Sequence, residues 1–210
     1  MSYRYLDIAR TPSVKAAQAA NGVAEVWDNV QGRRESNRLT DAEAAFIAAR
    51  DSFYLATVSE TGWPYVQHRG GPAGLLKMLD DTTLGFADFR GNRQYISLGN
   101  LGGNDRASLF LMDYPNRRRL KIFARIEPRD LSSDPELAAR LFTPGYRARP
   151  EHALIAHVEA FDWNCPQHIT PRFTEAELAA ALAPARERID RLEAENAELR
   201  AALAAEEASP

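Results

Sequence analysis

Apolar residues recur along the middle of the chain with the spacing of β-strands, whose successive side chains point to opposite faces. Turn-forming residues separate these segments, for example TG at 61–62 and PNR at 115–117. Several short strands at this spacing are typical of a small antiparallel β-barrel. The predicted strands are SFYLATVSE, WPYVQHR, GLLKML, TTLGFAD, RASLFLMDY, RRLKIFARIEP and HALIAHVEAFDW.

Helices are predicted before, between and after the strands. Residues 1–39 are polar and rich in alanine, which favours one or two short helices interrupted at Gly22 and Gly32. Another helix is expected to begin near Asn92. Three more are predicted by capping boxes, in which glutamate follows a threonine or serine after three residues. These boxes are TDAE at 40–43, SDPE at 133–136 and TEAE at 174–177.

The last part of the chain is rich in alanine, glutamate, arginine and leucine from Thr174 onward. One row of its residues is spaced alternately three and four apart, as in the a and d positions of a coiled-coil heptad. Pro184 is expected to kink this helix or to start a new one. We therefore expect a helical extension over 1–39, a barrel over 40–171 and a C-terminal helix over 172–210. The row consists of Leu182, Ala185, Ile189, Leu192, Asn196, Leu199 and Leu203.

Two arrangements of this helix are open. Asn196 falls at an a position, which favours a parallel, in-register pair of helices. In such a pair the flanking charges are opposite in sign, since Arg188 would face Glu193 of the second copy and Glu195 would face Arg200. The alternative is a single amphipathic helix that packs on its own barrel.

The chain has 210 residues, 45% of them hydrophobic, and a formal net charge of −3. This length suits one medium-sized domain with extensions, and wholesale disorder is not expected. Apolar runs fall short of the ~20 residues of a membrane span, and the mildly acidic charge argues against nucleic acid as the main partner. The N-terminus has no apolar signal-peptide core, and the single cysteine, Cys165, cannot form an internal disulfide. A cytoplasmic location is expected.

The stretch FADFRGNRQY at 86–95 is a candidate anion-binding turn. A helix that begins near Asn92 would offer a phosphate unpaired backbone N–H groups and a partial positive charge. Gly91 would permit a tight turn, and two arginines would add charge-assisted hydrogen bonds. The alternative is a solvated turn that Asn92 caps. The side chains expected to contribute are Arg90, Asn92, Arg93 and Gln94.

Two other stretches are further candidates. In QHRGGPAGLLK, Arg69 and Lys77 bracket three glycines that either admit a ligand or form a bend between strands. In DWNCPQHI, Cys165 and His168 are either a thiol–imidazole pair or a buried cysteine and a turn-capping histidine. No metal site is expected, because the remaining histidines lack ligand spacing. The basic NRRRL at 116–120 is either a binding element or a charged hairpin tip.

In combination, these stretches resemble the pyridoxamine 5′-phosphate oxidase-like, FMN-binding split barrels. The resemblance covers about 40–128 and extends more weakly to 171. YVQHRGGP, FADFRGNRQYISLGNL and DWNCPQHI are similar to a bacterial branch of predicted flavin-nucleotide-binding proteins. In the family, an arginine and a lysine lie around one strand, and a Gly-Ser-Arg-Lys turn follows the next. Arg69, Lys77 and the turn 91–94 take these places.

The resemblance implies a mainly β protein with flanking helices, an antiparallel split barrel of the FMN-binding type. It also implies a homodimer with two FMN molecules in clefts between subunits, each reached by Arg118 from the partner subunit. The residues implied around the phosphate are Arg69, Lys77, Asn92 and Arg93. The other residues expected at the cofactor are Gln67, His68, Ala87, Asp88, Gln94, Asn164, Gln167 and His168.

The chain also departs from the family pattern. Arg69 and Lys77 are eight residues apart instead of five, and Gln94 replaces a lysine. The oxidase's C-terminal substrate signature is absent. The expected function is therefore a flavin-dependent oxidoreductase of unknown substrate and not a true pyridoxamine phosphate oxidase. The alternatives are a non-catalytic flavin carrier or sensor, or a haem-binding split barrel, although the arginine- and asparagine-containing turn favours FMN over haem.

Overall fold

The alternating segments form strands and the capped segments form helices in a computed structural model that describes residues 3–28, 37–163 and 166–207. The strands are β1 (Ser52–Val58), β2 (Pro64–Gly70), β3 (Lys77–Asp80), β4 (Thr83–Phe89), β5 (Arg106–Asp113), β6 (Arg118–Asp130) and β7 (Pro150–Trp163). The helices are α1 (Tyr3–Ala9), α2 (Pro12–Ala20), α3 (Ala24–Asp28), α4 (Asp41–Ala48), α5 (Ile96–Gly103), α6 (Pro135–Leu141) and α7 (Glu175–Glu207).

The strands form one antiparallel sheet in the order β2-β1-β5-β6-β7-β4-β3. The predicted TG turn joins β1 to β2, and Gly62 adopts a φ of 84° there, which glycine tolerates without strain. The sheet curls strongly. Its curvature is evident from the contact between Phe53 of β1 and Phe86 of β4, strands that are not neighbours in the sheet, whose rings pack edge-on with centroids 5.0 Å apart. The expected antiparallel split barrel is therefore confirmed.

One face of the curled sheet forms the core. Leu55, Leu109 and Ile122 from its central strands are fully buried, and Phe46 and Ile47 of α4 pack into the same cluster. This burial is the main favourable contribution to folding. Alternate residues of the strands β2, β1, β5 and β6 lie on the opposite face, which is only partly covered.

Several boundaries differ from the sequence-based expectations. The capping box at 40–43 is confirmed, but α6 is capped by Asp134, whose side chain accepts from the Leu137 N–H, and not by Ser133. β3 starts at Lys77, since the preceding glycine-rich residues form a bend. α7 continues through Pro184 without a break.

Contacts between residues group the chain into two compact units, 1–169 and 170–210. The first holds the barrel together with the N-terminal helices, and the ring of Tyr5 in α1 stacks on Phe123 of β6 at 4.4 Å. The second holds α7, and the capping box at 174–177 is present at its start. The division at 39 and 171 stays a prediction. No helix within the described parts of the chain is long and apolar enough to cross a membrane.

Candidate functional site

A polar pocket of about 190 Å³ lies where β2 and β4 approach each other across the gap of the curled sheet. Helix α5 closes one side of the pocket. Its Ser97 hydroxyl donates to Gln67 Oε1 of β2 at 2.8 Å, and its Asn100 amide donates to the Thr57 hydroxyl of β1 at 3.0 Å. These two contacts fix the start of α5 beside the pocket. The lining residues are Tyr65, Gln67, Arg69, Asp88, Phe89, Gly91, Asn92, Arg93, Gln94, Tyr95, Ile96, Ser97, Leu98 and Glu151.

An ion pair between Arg69 of β2 and Asp88 of β4 bridges the gap. Both side chains are largely buried, with 14% and 12% of their surfaces exposed. The Nε of Arg69 is buried and has no hydrogen-bond partner within the described part of the chain. A buried donor without a partner is costly, so this N–H is a ready contact for an acceptor that enters the pocket.

The turn between β4 and α5 takes a strained path. Arg93 and Tyr95 adopt left-handed backbone angles, with φ of 61° and 51°, a conformation that costs energy for residues other than glycine. Gly91 does not use the conformational freedom of glycine, since its φ is not positive, and a Cβ there would also have room, with its nearest neighbour at 4.0 Å. The two unusual residues turn the chain so that Arg93 faces the pocket.

The expectation that a helix begins near Asn92 is wrong. The helix begins at Ile96, and its N-terminal flanking residue, Tyr95, makes no side-chain cap. Asn92 instead stabilises the turn, because its Oδ1 accepts from the backbone N–H of Gln94 at 3.1 Å. The first N–H groups of a helix have no partners inside it. In α5 these groups belong to Ile96, Ser97 and Leu98, which line the pocket.

Charges of both signs line the pocket. Among the lining residues, Arg69 and Arg93 are matched in number by Asp88 and Glu151, and Glu151 also pairs at 3.6 Å with Arg90, which is outside the lining. Glu151 accepts from the Tyr95 hydroxyl at 3.1 Å, and this hydrogen bond raises the pKa of the tyrosine. Arg93 makes no ion pair with any described residue and is the cation left for an incoming anion.

The structure brings six of the predicted cofactor residues to this pocket: Gln67, Arg69, Asp88, Asn92, Arg93 and Gln94. His68 and Ala87 do not line it. His68 points to the outer face of the sheet, where its ring packs against Tyr54 at 5.6 Å. Lys77 sits on β3 opposite Gly85, away from the pocket lining. The contribution of these three residues to cofactor binding stays a prediction.

Of the predicted residues after β7, Gln167 and His168 are not among those that line the pocket of their own chain. Gln167 and His168 are exposed, and His168 has a left-handed φ of 62°. Asn164 and Cys165 lie outside the described residues. The roles expected for this segment therefore stay predictions.

Arg118 begins β6 and is not among the residues that line the pocket. Its guanidinium stacks over the rings of Phe46 and Trp163, at 5.4 and 4.6 Å from their centroids. Leu120 of β6 pairs with Trp163 at the end of β7, which places Arg118 beside that ring. A contribution of Arg118 to a pocket in the partner subunit stays a prediction.

Four polar lining residues were missed by the sequence reasoning: Tyr65, Tyr95, Ser97 and Glu151. Tyr65 could have been found, because it precedes Gln67 by two residues and strand side chains alternate. Glu151 carried no such signal, since it reaches the pocket only through the pairing of β7 with β4.

A second cavity, of about 560 Å³, lies on the outer face of the sheet. Ala56, Val58 and Phe123 form part of its apolar floor, and Ile8 of α1 borders it. Nearby on β2, Val66 is 60% exposed. An apolar face of this kind is typical of a surface that another macromolecule covers.

The chain was compared with known proteins. The sequence model of the family described as pyridoxamine 5′-phosphate oxidase matches residues 39–160. None of the curated proteins matches the chain. Among solved structures, a putative pyridoxamine 5′-phosphate oxidase from Lactobacillus delbrueckii is 20% identical, covering 61% of this chain and 96% of that one at a TM-score of 0.47. An FMN-binding protein from Syntrophomonas wolfei is 16% identical, with coverages of 70% and 97% and a TM-score of 0.46.

Proposed function

Since the chain belongs to the pyridoxamine 5′-phosphate oxidase family, we propose that it binds a flavin nucleotide, FMN, with the phosphate in the pocket between β2, β4 and α5. The observation that carries this proposal is the buried Nε of Arg69, which has no hydrogen-bond partner among the described residues, in a pocket that Arg93 also lines. Both groups are donors, and both suit a phosphate oxygen.

The other residues of the pocket also fit a phosphate ester. The unpaired N–H groups at the start of α5 add donors and a partial positive charge. Gln67 accepts from Ser97 through its oxygen, which leaves its amide N–H₂ available to the ligand. Asp88 is placed to accept from hydroxyl groups of the ribityl chain. About 190 Å³ accommodates the phosphate end, while the ring needs a further, flatter surface.

We propose that a second copy of the chain supplies that surface. Two observations support a homodimer. The residues that line the pocket carry no net formal charge, so a phosphate dianion would gain from another cation, and Arg118, which does not line the pocket of its own chain, would supply it from the partner. The apolar outer face around Phe123 and Val66 would also be stabilised by burial against a second copy.

The proposed reaction class is oxidoreduction in the cytoplasm with a substrate that is not identified. A bound flavin supplies hydride and electron transfer, and the protein binds and orients it. Pyridoxamine 5′-phosphate is not the proposed substrate, because the oxidase's C-terminal substrate signature is missing from the residues that follow β7.

The absorbance spectrum of the purified protein, with and without added FMN, tests the cofactor. We expect flavin bands and quenched flavin fluorescence on binding. Replacing Arg93 with alanine should weaken FMN binding about tenfold to a hundredfold, because one charge-assisted contact is lost.

Arg129→Ala is the matched control, since it removes the same charge from an exposed ion pair with Glu127 outside the pocket. It should leave the affinity unchanged. Equal FMN affinities for the wild type and the Arg93→Ala variant would contradict the placement of the phosphate, and a protein that takes up no flavin would contradict the function. Bleaching of bound flavin by NADH or NADPH, followed by reoxidation in air, then distinguishes an oxidoreductase from a passive carrier.

A further inference from the structure

Helix α7 is a continuous helix of 33 residues, about 50 Å long. Every side chain described along it is exposed. Its large apolar residues are 46% to 60% exposed, which is unfavourable for a helix that stays alone in water. These residues are Leu178, Leu182, Ile189, Leu192, Leu199 and Leu203.

The exposed apolar residues lie on one heptad seam. Leu182, Ile189 and Leu203 take a positions, and Leu192 and Leu199 take d positions. Branched Ile at a and Leu at d suit a two-stranded coil. We propose that the α7 helices of two copies of this chain pair along this seam as a parallel coiled coil, with Asn196 against Asn196.

The charges beside the seam fit a second copy of the same helix in either orientation. In a parallel pair, Arg188 faces Glu193 of the second copy and Glu195 faces Arg200. In an antiparallel pair that keeps the seam in register, Arg188 faces Glu195 and Arg186 faces Glu193. All of these pairs are opposite in sign. The charges therefore favour a second α7 helix as the partner, but they do not distinguish parallel from antiparallel pairing.

Asn196 decides the direction. In the parallel pair the two amides meet, and each can donate to and accept from the other. In the antiparallel register Asn196 would instead lie opposite Ala185, and a buried amide without a partner is destabilising. The parallel coil satisfies the only polar group on the seam.

Pro184 does not prevent this pairing. It occupies a c position, on the side of the helix away from the seam, and the helix continues through it. About three heptads follow it, which is marginal for an isolated coil. The pairing therefore gains from any contact elsewhere that holds two copies together, as the proposed barrel dimer would.

Disulfide trapping in the full-length chain tests the proposal. In a Cys165→Ser background, Asn196→Cys should form an interchain disulfide under mild oxidation. Ala194→Cys is the matched control, because Ala194 takes an f position on the outside of the coil and should stay uncrosslinked. Failure of the Asn196→Cys chain to crosslink, or equal crosslinking of both variants, would overturn the proposal and would indicate a helix that packs elsewhere.

The antiparallel alternative has its own test. Two single variants, Ile189→Cys and Leu192→Cys, are mixed in equal amounts and oxidised. The disulfides that form are identified by mass spectrometry. In the parallel coil, disulfides should form between two residues 189 or between two residues 192. A preference for the mixed 189–192 disulfide would overturn it. Neither experiment requires flavin, so the coiled-coil proposal and the flavin-binding proposal are tested independently.

Discussion

The ion pair between Arg69 and Asp88 has two consequences at the level of single residues. It joins β2, an edge strand, to β4, the second strand from the opposite edge, and it holds the guanidinium of Arg69 at the pocket with Asp88 as its carboxylate partner. Because the pair is largely buried, removal of one charge leaves the other uncompensated, which is much costlier than at a surface. The same imbalance should make the site a stronger anion binder.

We predict that Asp88→Asn lowers the free energy of unfolding by about 1–3 kcal/mol, since Arg69 keeps a hydrogen-bond acceptor but loses its counter-charge. Inorganic phosphate should restore part of this loss and should stabilise the variant more than the wild type. Thermal unfolding with phosphate or chloride at matched ionic strength measures both effects.

Asp105→Asn is the control, because its ion pair with Arg125 leaves both side chains nearly half exposed. It should cost little and gain nothing from phosphate. If phosphate stabilises Asp88→Asn and the wild type equally, Arg69 does not face the anion.

At the level of elements, the start of α4 is tied to the end of β7. Glu43 accepts from the Thr40 backbone N–H at 2.9 Å and from the Trp163 indole N–H at 2.6 Å. Burial alone would raise the pKa of this carboxyl, but the hydrogen bonds from Thr40 and Trp163 outweigh burial and lower it. The indole ring of Trp163, which donates to Glu43, is also the ring over which the Arg118 guanidinium stacks.

A carboxyl whose pKa is lowered by folding contributes stability above its unfolded pKa and loses that contribution as the pH falls through its folded pKa. We therefore predict that Glu43→Gln costs about 1–2 kcal/mol at pH 7 and that the difference from the wild type shrinks as the pH falls below 4.5, the ordinary pKa of a glutamate carboxyl. Urea unfolding over a pH series measures this trend.

Asp41→Asn removes a carboxylate from the same turn of α4, where the side chain is exposed, and serves as the control. It should have a small effect. A Glu43→Gln deficit that stays constant from pH 7 down to the acid transition would contradict the assigned role of the carboxylate.

At the level of the whole molecule, the proposed flavin site combines the pocket of one copy with Arg118, which lies outside the pocket lining of its own chain. Arg93 lies at the pocket, whereas Arg118 lies near the end of β7, so a two-fold dimer would bring one of each to every site. Neither copy would bind flavin well alone. Binding should then depend on protein concentration as the dimer dissociates.

We predict that Arg93→Ala and Arg118→Ala chains each bind FMN weakly and that mixing them restores roughly a quarter of the sites. In a mixed dimer one site would lack both arginines and the other would keep both, which follows from two-fold symmetry. Flavin titration before and after subunit exchange measures the recovery. A mixture that binds no better than its components would show that Arg118 does not act across the subunits.

Much of the fold was determined by the sequence, because strand alternation, the TG turn and two of the three expected capping boxes depend on residues within a few positions of one another. The polar residues of the turn 91–94 were identified for the same reason, although the helix they were expected to open starts later, at Ile96. The local pattern could not show that Tyr95 adopts a left-handed backbone.

The tertiary structure alone decided which distant residues meet. Arg69 and Asp88 lie on strands that are far apart in the sheet order, and only the curl of the sheet brings them together. Glu151 enters the pocket through the pairing of β7 with β4, and Arg118 of β6 meets the ring of Trp163 through the pairing of β6 with β7. Such placements depend on the curvature and register of the whole sheet, which are set by the packing of its core and not by any short stretch of sequence.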